Sequence, residues 1–364
     1  MSERPAVERT WSLVPYRPGD EHEILELFNA GFGQQRTMAT WNWRFLANPY
    51  GGPFASLARR NSDGKLVGAY LCIPFQLAVD GQPELSFQGV DLIVSPECRK
   101  QGMFESMARH TYELLRAAGG RALVAFPNPT AMSYPGFTRT LDWKLAAEMH
   151  TYTRRLDLER PLRALLKLPV LARVANAGFR AFTKWQLERE LARRPEADKG
   201  ATQFQVHTSV PPGCDELWDD CRTQQRFSFW KDSAYLRWRY DQDPDYDFEY
   251  ACLTQAGRLV ALAVIYHRDG VAVVCELLVA GRDVRAGRRL VAELCRAQFR
   301  ARARSVSFLG HDAGWFASIL AGFSLSPVFH NVLVVRALEG AEALERTMSQ
   351  PDAWTLTYGD ADFV

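Results

Sequence analysis

Hydrophobic and polar positions in the first third of the chain alternate between a helical period and a strand period. Apolar residues recur at helical spacing over 24–28, 39–46 and 101–118, and Gly119-Gly120 ends the last of these helices. Shorter β-rich runs predict strands, two of them joined by the hairpin-turn sequence Asn61-Ser-Asp-Gly64. The predicted order is therefore β-α-α-β-β-β-α-β. The predicted strands are Trp11 to Pro18, Phe54 to Arg60, Leu66 to Ile73, Phe87 to Val94 and Leu123 to Phe126.

From about Arg154 to Arg194, leucines recur among arginines and lysines. This pattern predicts a basic, amphipathic helical connector, and Pro195 to Gly200 has the composition of the linker that ends it. Two interpretations stay open. Such a stretch is more often an inter-domain helix with a solvated charged face, and the alternative is contact with an anionic membrane surface.

The second half of the chain repeats features of the first half in the same order. Trp43-Arg44-Phe45 is followed by Pro49, and Trp238-Arg239-Tyr240 is followed by Pro244 at the same spacing. A turn and strand come next in each half, and a Gly-Phe pair stands near each end, which together indicate an internal repeat. We therefore predict an α/β (α+β) protein of two tandem mixed-sheet domains packed together. The predicted bounds are 1–153 for the first domain, 154–200 for the connector, 201–345 for a degenerate second domain and 346–364 for a docked tail.

The composition is that of a globular protein, with 47% hydrophobic and 24% charged residues among 364. A net charge of +2 argues against a dedicated nucleic-acid-binding protein. The seven cysteines form no C-x-x-C pair, so neither a disulfide framework nor a zinc ribbon is indicated. The longest apolar run, Leu259 to Tyr266, is too short to span a bilayer, and the N-terminus lacks the apolar segment of a signal peptide. We expect a cytoplasmic protein with no metal, no integral membrane segment and no nucleic-acid partner.

The segment Asp91-Leu-Ile-Val-Ser-Pro-Glu-Cys-Arg99-Lys-Gln-Gly102-Met-Phe carries the most informative chemistry. A strand ends, a short polar loop turns and an amphipathic helix begins, so free N–H groups and the positive end of a helix dipole point to one place. Gly102 lets the backbone approach an anion closely, and Arg99 and Lys100 add positive charge. The arrangement predicts a pyrophosphate site, with an ordinary structural turn as the alternative.

Val94-x-Pro96-x-x-Arg99-x-x-Gly102 resembles the acyl-CoA loop of the GNAT acetyltransferase superfamily, with Phe104 where that family has a small residue. Downstream, the segment from Asn128 through Ala131 and Tyr134 to Gly136-Phe137 resembles the family's closing motif, shortened by three residues. The resemblance covers residues 10–153 well and 203–338 weakly. It implies tandem GNAT folds with acetyl-CoA, or another acyl-CoA, as cosubstrate and no metal. The cofactor-binding residues that it implies are Leu92, Ile93, Val94, Arg99, Lys100, Gln101, Gly102, Met103, Phe104 and Asn128.

The same resemblance implies that the Tyr134 hydroxyl protonates the departing thiolate, a step that suits a phenol. The alternative for Tyr134 is a packed aromatic residue in a Ser-Tyr-Pro-Gly turn. The acceptor amine must be neutral, and the candidates for its base are Asp91, Glu84 or a water held by Gln88. Asp91 lies closest to the loop, and a polar residue that caps a turn is an equally consistent interpretation of it.

The corresponding loop of the second half, Val279 to Leu290, keeps Gly287 and several arginines but loses the Arg-x-x-Gly-x-small spacing. We expect a degenerate copy that packs on the first and shapes the acceptor pocket. The aromatic tail is expected to dock. Its Asp360 and Asp362 are interpreted as solvated carboxylates, with contact to a cationic amine as the alternative.

These features predict an acyl-CoA-dependent N-acyltransferase, most simply an N-acetyltransferase, whose partner is the primary amine of a small molecule. The two-copy layout and the Trp-Arg-aromatic signature resemble GNAT-type proteins of polysaccharide or surface-glycan biosynthesis, which implies an amino sugar or a sugar nucleotide as the first acceptor to test. An aminoglycoside-like or amino-acid acceptor comes next. The alternatives in other classes are an aminoacyl transferase of the FemAB-like type and a non-catalytic GNAT-like ligand-binding protein.

Overall fold

The computed structural model describes residues 9–131, 133–192, 202–312, 314–326 and 331–361. The chain forms two compact units, each built from several segments. The predicted linker Pro195 to Gly200 and the tail residue Asp362 lie outside the described residues. The first unit takes the described parts of Met1–Leu77, Pro83–Ala146 and Leu333–Ser349, and the second takes those of Ala78–Gln82, Ala147–Val332 and Gln350–Val364. This division follows compactness, and the contiguous bounds expected from the repeat stay a prediction.

Two separate mixed sheets of eight strands each organise the fold, which confirms the predicted fold class. The strands of the first sheet are β1 (Trp11–Pro15), β2 (Phe54–Arg60), β3 (Leu66–Val79), β4 (Gln82–Val94), β5 (Ala122–Ala125), β6 (Lys144–Glu148) and β15 (Val332–Ala337), with the short strand β9 (Phe227–Phe229) off the main path. They lie in the order β1-β2-β3-β4-β5-β15-β6. The helices of this unit are α1 (Glu21–Phe32), α2 (Met38–Trp41), α3 (Met103–Ala117), α4 (Ser133–Pro135) and α11 (Glu342–Met348), with π-helical turns at Asn42–Leu46 and Gly136–Thr140.

The second sheet belongs to the second unit and repeats the arrangement of the first. Its strands are β7 (His150–Arg155), β8 (Thr202–His207), β10 (Phe248–Gln255), β11 (Arg258–Arg268), β12 (Val271–Val279), β13 (Ser305–His311), β14 (Ser324–Leu325) and β16 (Leu356–Thr357). They lie in the order β14-β7-β13-β12-β11-β10-β8, with β16 beside β13. The helices are α5 (Glu159–Leu166), α6 (Pro169–Ala192), α7 (Cys214–Cys221), α8 (Ser233–Leu236), α9 (Val284–Arg300) and α10 (Trp315–Ile319).

Each sheet contains a parallel pair, and the strand beside that pair comes from the opposite half of the chain. In the first sheet β4 and β5 are parallel, and β15 pairs antiparallel with β5. In the second sheet β12 and β13 are parallel, and β7 pairs antiparallel with β13. The two sheets therefore have the same strand pattern, with one strand exchanged.

Helix α3 is held directly on β3 because no side chain intervenes. A Cβ atom at Gly68 would lie 2.7 Å from the Met103 sulfur and 3.1 Å from the Met107 sulfur, so glycine is required there. Both methionines are fully buried, and such side chains stabilise a core by about 1.5–3 kcal/mol each. This contact fixes the first turn of α3 at the end of β4, where the sequence predicts the anion site.

Candidate active site

The parallel strands β4 and β5 separate before β4 ends. Their pairing runs from Ser86 with Ala122 to Gln88 with Val124, and β4 then continues to Val94. Backbone groups of this last part of β4 are therefore free of β5 among the described residues. Leu92, Ile93 and Val94, all predicted to contact the cofactor, lie in this opening.

The opening has a polar side chain at one end and an apolar contact with α1 at the other. At the last paired residue, Gln88 Nε2 is buried and has no acceptor within the described part of the chain. Near the end of β4, Ile93 is buried close to α1, since a Cβ at Gly31 would lie 2.1 Å from its Cδ1. The opening therefore combines an unsatisfied amide donor with a wall fixed by α1.

The loop between β4 and the first turn of α3 has a strained backbone conformation. The Ser95 N–H donates to the Val67 carbonyl at 2.8 Å, and a short 3₁₀ turn at Pro96–Cys98 follows. Lys100 and Gly102 both have positive φ, 63° and 75° respectively. Glycine adopts this conformation without strain, whereas Lys100 must be held in it.

The first turn of α3 has the geometry of an anion site. Gly102 is its N-cap, and within the described part of the chain no side-chain hydrogen bond caps this end of the helix. A Cβ at Gly102 would have no atom within 4 Å, so the approach to these amides is open. Free N–H groups and the positive end of the helix dipole both favour a phosphate there.

Three loop side chains are placed around this turn. Arg99 and Lys100 are exposed, and Arg99 Nε donates to the Val94 carbonyl at 3.3 Å. Gln101 Oε1 accepts from Thr10 Oγ1 at 3.2 Å. The two cations are therefore free to meet an anion in solvent, while Gln101 ties the loop to the start of β1.

Phe104 occupies the position that is small in the resembled loop, and the structure gives the physical reason. Its ring faces the segment after α4, where a Cβ at Gly136 would lie 2.8 Å from the ring. The rings of Phe104 and Phe137 are 6.3 Å apart in an edge-on arrangement. The large side chain thus packs on Gly136-Phe137, and only the Phe104 backbone N–H belongs to the anion site.

Asn128 follows β5 on the other side of the opening. Its Oδ1 accepts hydrogen bonds from the backbone N–H and the hydroxyl of Thr130, at 2.9 and 2.7 Å. The side chain therefore shapes the turn after β5.

Tyr134 is the middle residue of the short helix α4 and is half-buried. Its backbone N–H donates to the Ala131 carbonyl at 3.2 Å, and its side chain lines a surface depression. The other residues around that depression are Thr138, Asp142, Trp143, Lys144, Leu145, Glu345, Arg346 and Ser349. None of them belongs to the predicted cofactor-binding set, so this depression does not bring Tyr134 together with the loop.

Asp91 is buried on β4 and forms an ion pair that sequence reasoning missed. Arg36, in the segment between α1 and α2, donates through Nη1 to Asp91 Oδ2, and the side chains are 18% and 7% exposed respectively. The Arg36 guanidinium lies 3.8 Å from the centre of the Phe28 ring. The pair lines a small pocket with Thr40, Trp41 and residues of α1. Arg36 therefore orients the carboxylate proposed as a base and balances its charge.

The second unit contains the same pair at the same positions of the repeat. Lys231 precedes Trp238 by the distance that separates Arg36 from Trp43, and Lys231 Nζ contacts Glu276 Oε2. Glu276-Leu-Leu-Val279 on β12 matches Asp91-Leu-Ile-Val94 on β4. The match between these two strand segments, together with the equal spacing of Arg36 and Lys231 from the tryptophans, was the sequence signal that would have identified the Arg36–Asp91 pair.

The tail closes the second unit at the place where the first is open. The strand β16 pairs with the end of β13, beyond the last residue that β13 shares with β12. Thr357 of β16 donates through Oγ1 to Glu276 Oε2 at 2.7 Å, and the Tyr240 hydroxyl donates to Glu276 Oε1 at 2.7 Å. Chain atoms therefore fill the space beside Glu276.

The interpretation of Asp360 as a solvated carboxylate is wrong. Asp360 is 1% exposed and lies 2.8 Å from Lys231 Nζ. Burial raises the pKa of Asp360 to about 6, because the nearby Glu276 charge adds to the effect and Lys231 offsets it only in part. Burial alone would lower the pKa of Lys231, but the two carboxylates raise it. The cationic partner of Asp360 is thus the Lys231 amine of the chain itself.

The helix that follows the opening also differs between the units. Asp283 is the N-cap of α9, and its side chain accepts from the N–H groups of Arg285 and Ala286 at 2.7 and 3.4 Å. Gly287, expected to survive from an anion loop, instead lies within α9, where a Cβ would be 2.9 Å from Ile319. The Asp283 carboxylate thus accepts hydrogen bonds from the first amides of α9, whereas the corresponding amides of α3 are open. Gly287 is a packing residue.

Two further findings concern metal ions and membrane-spanning helices. The described residues contain no group of three or more His, Cys, Asp or Glu side chains arranged to bind a metal ion. No helix in the described part of the chain has the length and apolar character needed to cross a membrane.

Residues 13–146 match the family model of the acetyltransferase (GNAT) domain. These residues therefore form a GNAT domain, which confirms the resemblance drawn from the sequence. No curated protein matches the chain in sequence.

Solved structures match both units of the chain. A conserved protein of unknown function from Enterococcus faecalis V583, described as a probable N-acyltransferase, has a TM-score of 0.62 at 12% identity, covering 93% of this chain and 74% of that chain. A GCN5-related N-acetyltransferase from Kribbella flavida has 0.61 at 15%, covering 93% and 73%. Another from Anabaena variabilis ATCC 29413 has 0.59 at 9%, covering 93% and 75%. At these identities the similarity shows the fold, and the GNAT domain supports acyltransfer as the class of activity.

Proposed function

We propose that this chain transfers an acyl group, most simply acetyl, from acyl-CoA to the primary amine of a small molecule. The observation that carries the proposal is a contrast between the two units. The first has an open strand pair and an uncapped helix N-terminus, whereas the tail and Asp283 close the same features in the second. One unit is thus equipped for a cosubstrate and the other is not.

The cofactor-binding roles follow the geometry of the first unit. Backbone groups of Leu92, Ile93 and Val94 are proposed to pair with the pantetheine arm as an added strand would. The amides from Gln101 to Phe104, with the side chains of Arg99 and Lys100, are proposed to hold the pyrophosphate. Asn128 is proposed to line the opposite wall, after β5.

Acyl-CoA supplies an activated thioester carbonyl. An N–H of β4 in the opening is proposed to donate a hydrogen bond to that carbonyl oxygen as negative charge develops on it. Asp91 is proposed to accept the proton of the attacking amine while Arg36 fixes its orientation. Tyr134 is proposed to return a proton to the thiolate, although its side chain faces a different depression from the loop residues.

The acceptor proposed first is an amino sugar or a sugar nucleotide, because the two-copy layout resembles acetyltransferases of polysaccharide biosynthesis. The proposed location is the cytoplasm, where the acyl-CoA pool is found. Neither the acceptor nor the location is needed for the cofactor site itself, so the two parts of the proposal are tested separately.

The first experiment measures acetyl-CoA binding by calorimetry and by thermal stabilisation of the full chain. The second follows thiol release with a panel of amino sugars, sugar nucleotides, aminoglycosides and amino acids, with acetyl-CoA alone as background. Binding together with amine-dependent thiol release supports the proposal. Binding without release from any amine favours a ligand-binding protein, and transfer from aminoacyl-tRNA without acetyl-CoA binding favours the FemAB-like alternative.

A further inference from the structure

Helix α6 presents an apolar face to solvent. The buried residues of its inner face are spaced four or seven positions apart, one or two helical turns, and are Ala172, Asn176, Thr183, Leu187 and Leu191. The opposite face is apolar too, although an outer helix face of this kind is normally polar. Together with α5 and the turn between the helices it forms what we call the α5–α6 surface: Leu165, Leu168, Val170, Leu171, Val174, Phe182 and Trp185.

The exposure of this surface is large. Leu165 is 76% exposed, Val170 70% and Val174 66%. Phe182 and Trp185 stack with their rings 5.8 Å apart, and each is about half exposed. A contiguous apolar patch of this kind marks an interaction site.

Helix α6 is fixed in the orientation that exposes this surface. Asn176 Nδ2 donates to Asp157 Oδ2 at 2.9 Å, and Arg180 Nη1 donates to the same oxygen at 3.2 Å. Arg154 forms an ion pair with Glu190 near the other end of the helix, at 2.9 Å. The polar anchors hold the inner face, so rotation of the helix does not bury the outer one.

The charge around the α5–α6 surface is mostly positive, although Glu159 begins α5 and Glu188 and Glu190 lie on the last turns of α6. Residues 160–187 contain no Asp or Glu and include six cations, which are Arg160, Arg163, Lys167, Arg173, Arg180 and Lys184. Arg163 and Arg173 contact Glu159, and Arg180 contacts Asp157. Arg160 and Lys167 form no ion pair within the described part of the chain and are exposed.

From this combination we propose that the α5–α6 surface binds an anionic membrane leaflet, with both helices lying in the plane of the interface. Exposed Leu, Phe and Trp enter the boundary between headgroups and acyl chains, and the cations meet the anionic headgroups. Each cation near such a surface raises the affinity for the membrane severalfold. Added salt screens this electrostatic attraction. A second copy of the chain fits less well, because exposed cations such as Arg160 and Lys167 would be present on both contacting surfaces.

The test is sedimentation of the full chain with phosphatidylcholine vesicles, with and without phosphatidylglycerol. We expect binding only to the anionic vesicles, and weaker binding as salt rises. The double variant Arg160→Glu/Lys167→Glu should lower the partition coefficient roughly tenfold or more. The double variant Leu168→Glu/Val174→Glu should also abolish binding, because it places charge where the apolar contact is needed.

Matched controls separate these effects from general changes in charge. Lys65→Glu removes an exposed cation from the hairpin of the first unit, and Val206→Glu adds a charge at an exposed apolar position of β8. Both should bind vesicles as the wild type does, and all variants should keep the wild-type thermal midpoint. Equal loss in the controls, or undiminished binding by Leu168→Glu/Val174→Glu, overturns the proposal. So does a lipid-free dimer in sedimentation velocity that the latter variant dissociates.

Discussion

Gly102 offers the sharpest test of the cofactor site, because the same helix carries a matched control. Gly102 begins α3 with φ 75°, and Gly119 follows the end of α3 with φ 85°. A Cβ at either glycine has no atom within 4 Å. Alanine at each therefore costs stability through the backbone alone, about 1–2 kcal/mol.

The two substitutions should differ in cofactor affinity. A side chain at Gly102 stands between solvent and the first amides of α3, where the pyrophosphate is proposed to lie, and valine blocks them more than alanine. Loss of two hydrogen bonds to a charged group, each of about 1.5–3 kcal/mol, raises the Kd by about 10²- to 10⁴-fold. Gly119→Ala should leave the Kd within about twofold, a change of less than half a kcal/mol.

The assay is calorimetric titration of acetyl-CoA into the wild type, Gly102→Ala, Gly102→Val and Gly119→Ala. Thermal denaturation accompanies it, and the two alanine variants should lose a similar few degrees. If Gly102→Val binds acetyl-CoA as tightly as the wild type while keeping its fold, the α3 terminus is not the pyrophosphate site. If Gly119→Ala loses affinity equally, the loss is one of stability and not of contact.

Three further predictions follow from the contrast between the units and from the proposed chemistry. Titration should give one acetyl-CoA per chain, because Asp283 and β16 close the second unit; a stoichiometry of two would contradict that assignment. Tyr134→Phe should lower kcat by about 10²- to 10⁴-fold with little change in acetyl-CoA affinity, and a kcat within about twofold of the wild type would make Tyr134 a structural residue. Asp360 has a folded pKa of about 6, above its unfolded value near 3.9, so the folded state binds the proton more tightly. The unfolding free energy of the wild type relative to Asp360→Asn should therefore fall as the pH rises from about 4 to about 6 and then level off; denaturant titrations across this range that show no such slope contradict the raised pKa.

Local features of the fold were predictable because they depend on neighbours in sequence. The strand β2 has the predicted bounds, Phe54 to Arg60, and α3 spans 103–117 within the predicted 101–118. Alternation, a hairpin turn and a terminal glycine determine such elements with little help from the rest of the chain. The strand–loop–helix order of the anion site belongs to the same class of local signals.

The strand exchange was not predictable from the same signals. Val332–Ala337 and His150–Arg155 have strand patterns but carry no local mark of the sheet that they enter. Sequential strands are usually neighbours, so the default assignment keeps each strand with its own half. Long-range pairing decided otherwise, with β15 on β5 and β7 on β13.

Individual side chains of the site depended on tertiary contacts in the same way. Asp360 lies in the aromatic tail that the sequence predicts to dock, but only the fold brings Lys231 to it. Gly287 resembles a loop glycine in sequence, yet it lies within helix α9. A side chain at this position would be too close to Ile319. Composition and spacing identify the residue types, but burial and partners assign their roles.

The repeated cation–carboxylate pair separates what the fold needs from what catalysis needs. The second unit keeps Lys231–Glu276 although its strand opening is filled, so the pair does not depend on acyltransfer. Its shared role is to fix the segment before α2 or α8 to the fourth strand of the repeat. Breaking a buried pair of this kind costs about 3–5 kcal/mol, because one charge is left without a partner. What distinguishes the first unit is access: Arg36–Asp91 keeps partial exposure beside the open strands, whereas Lys231–Glu276 is sealed by Thr357 and Asp360. The role proposed for Asp91 as a base therefore depends on this partial exposure and not on the ion pair itself.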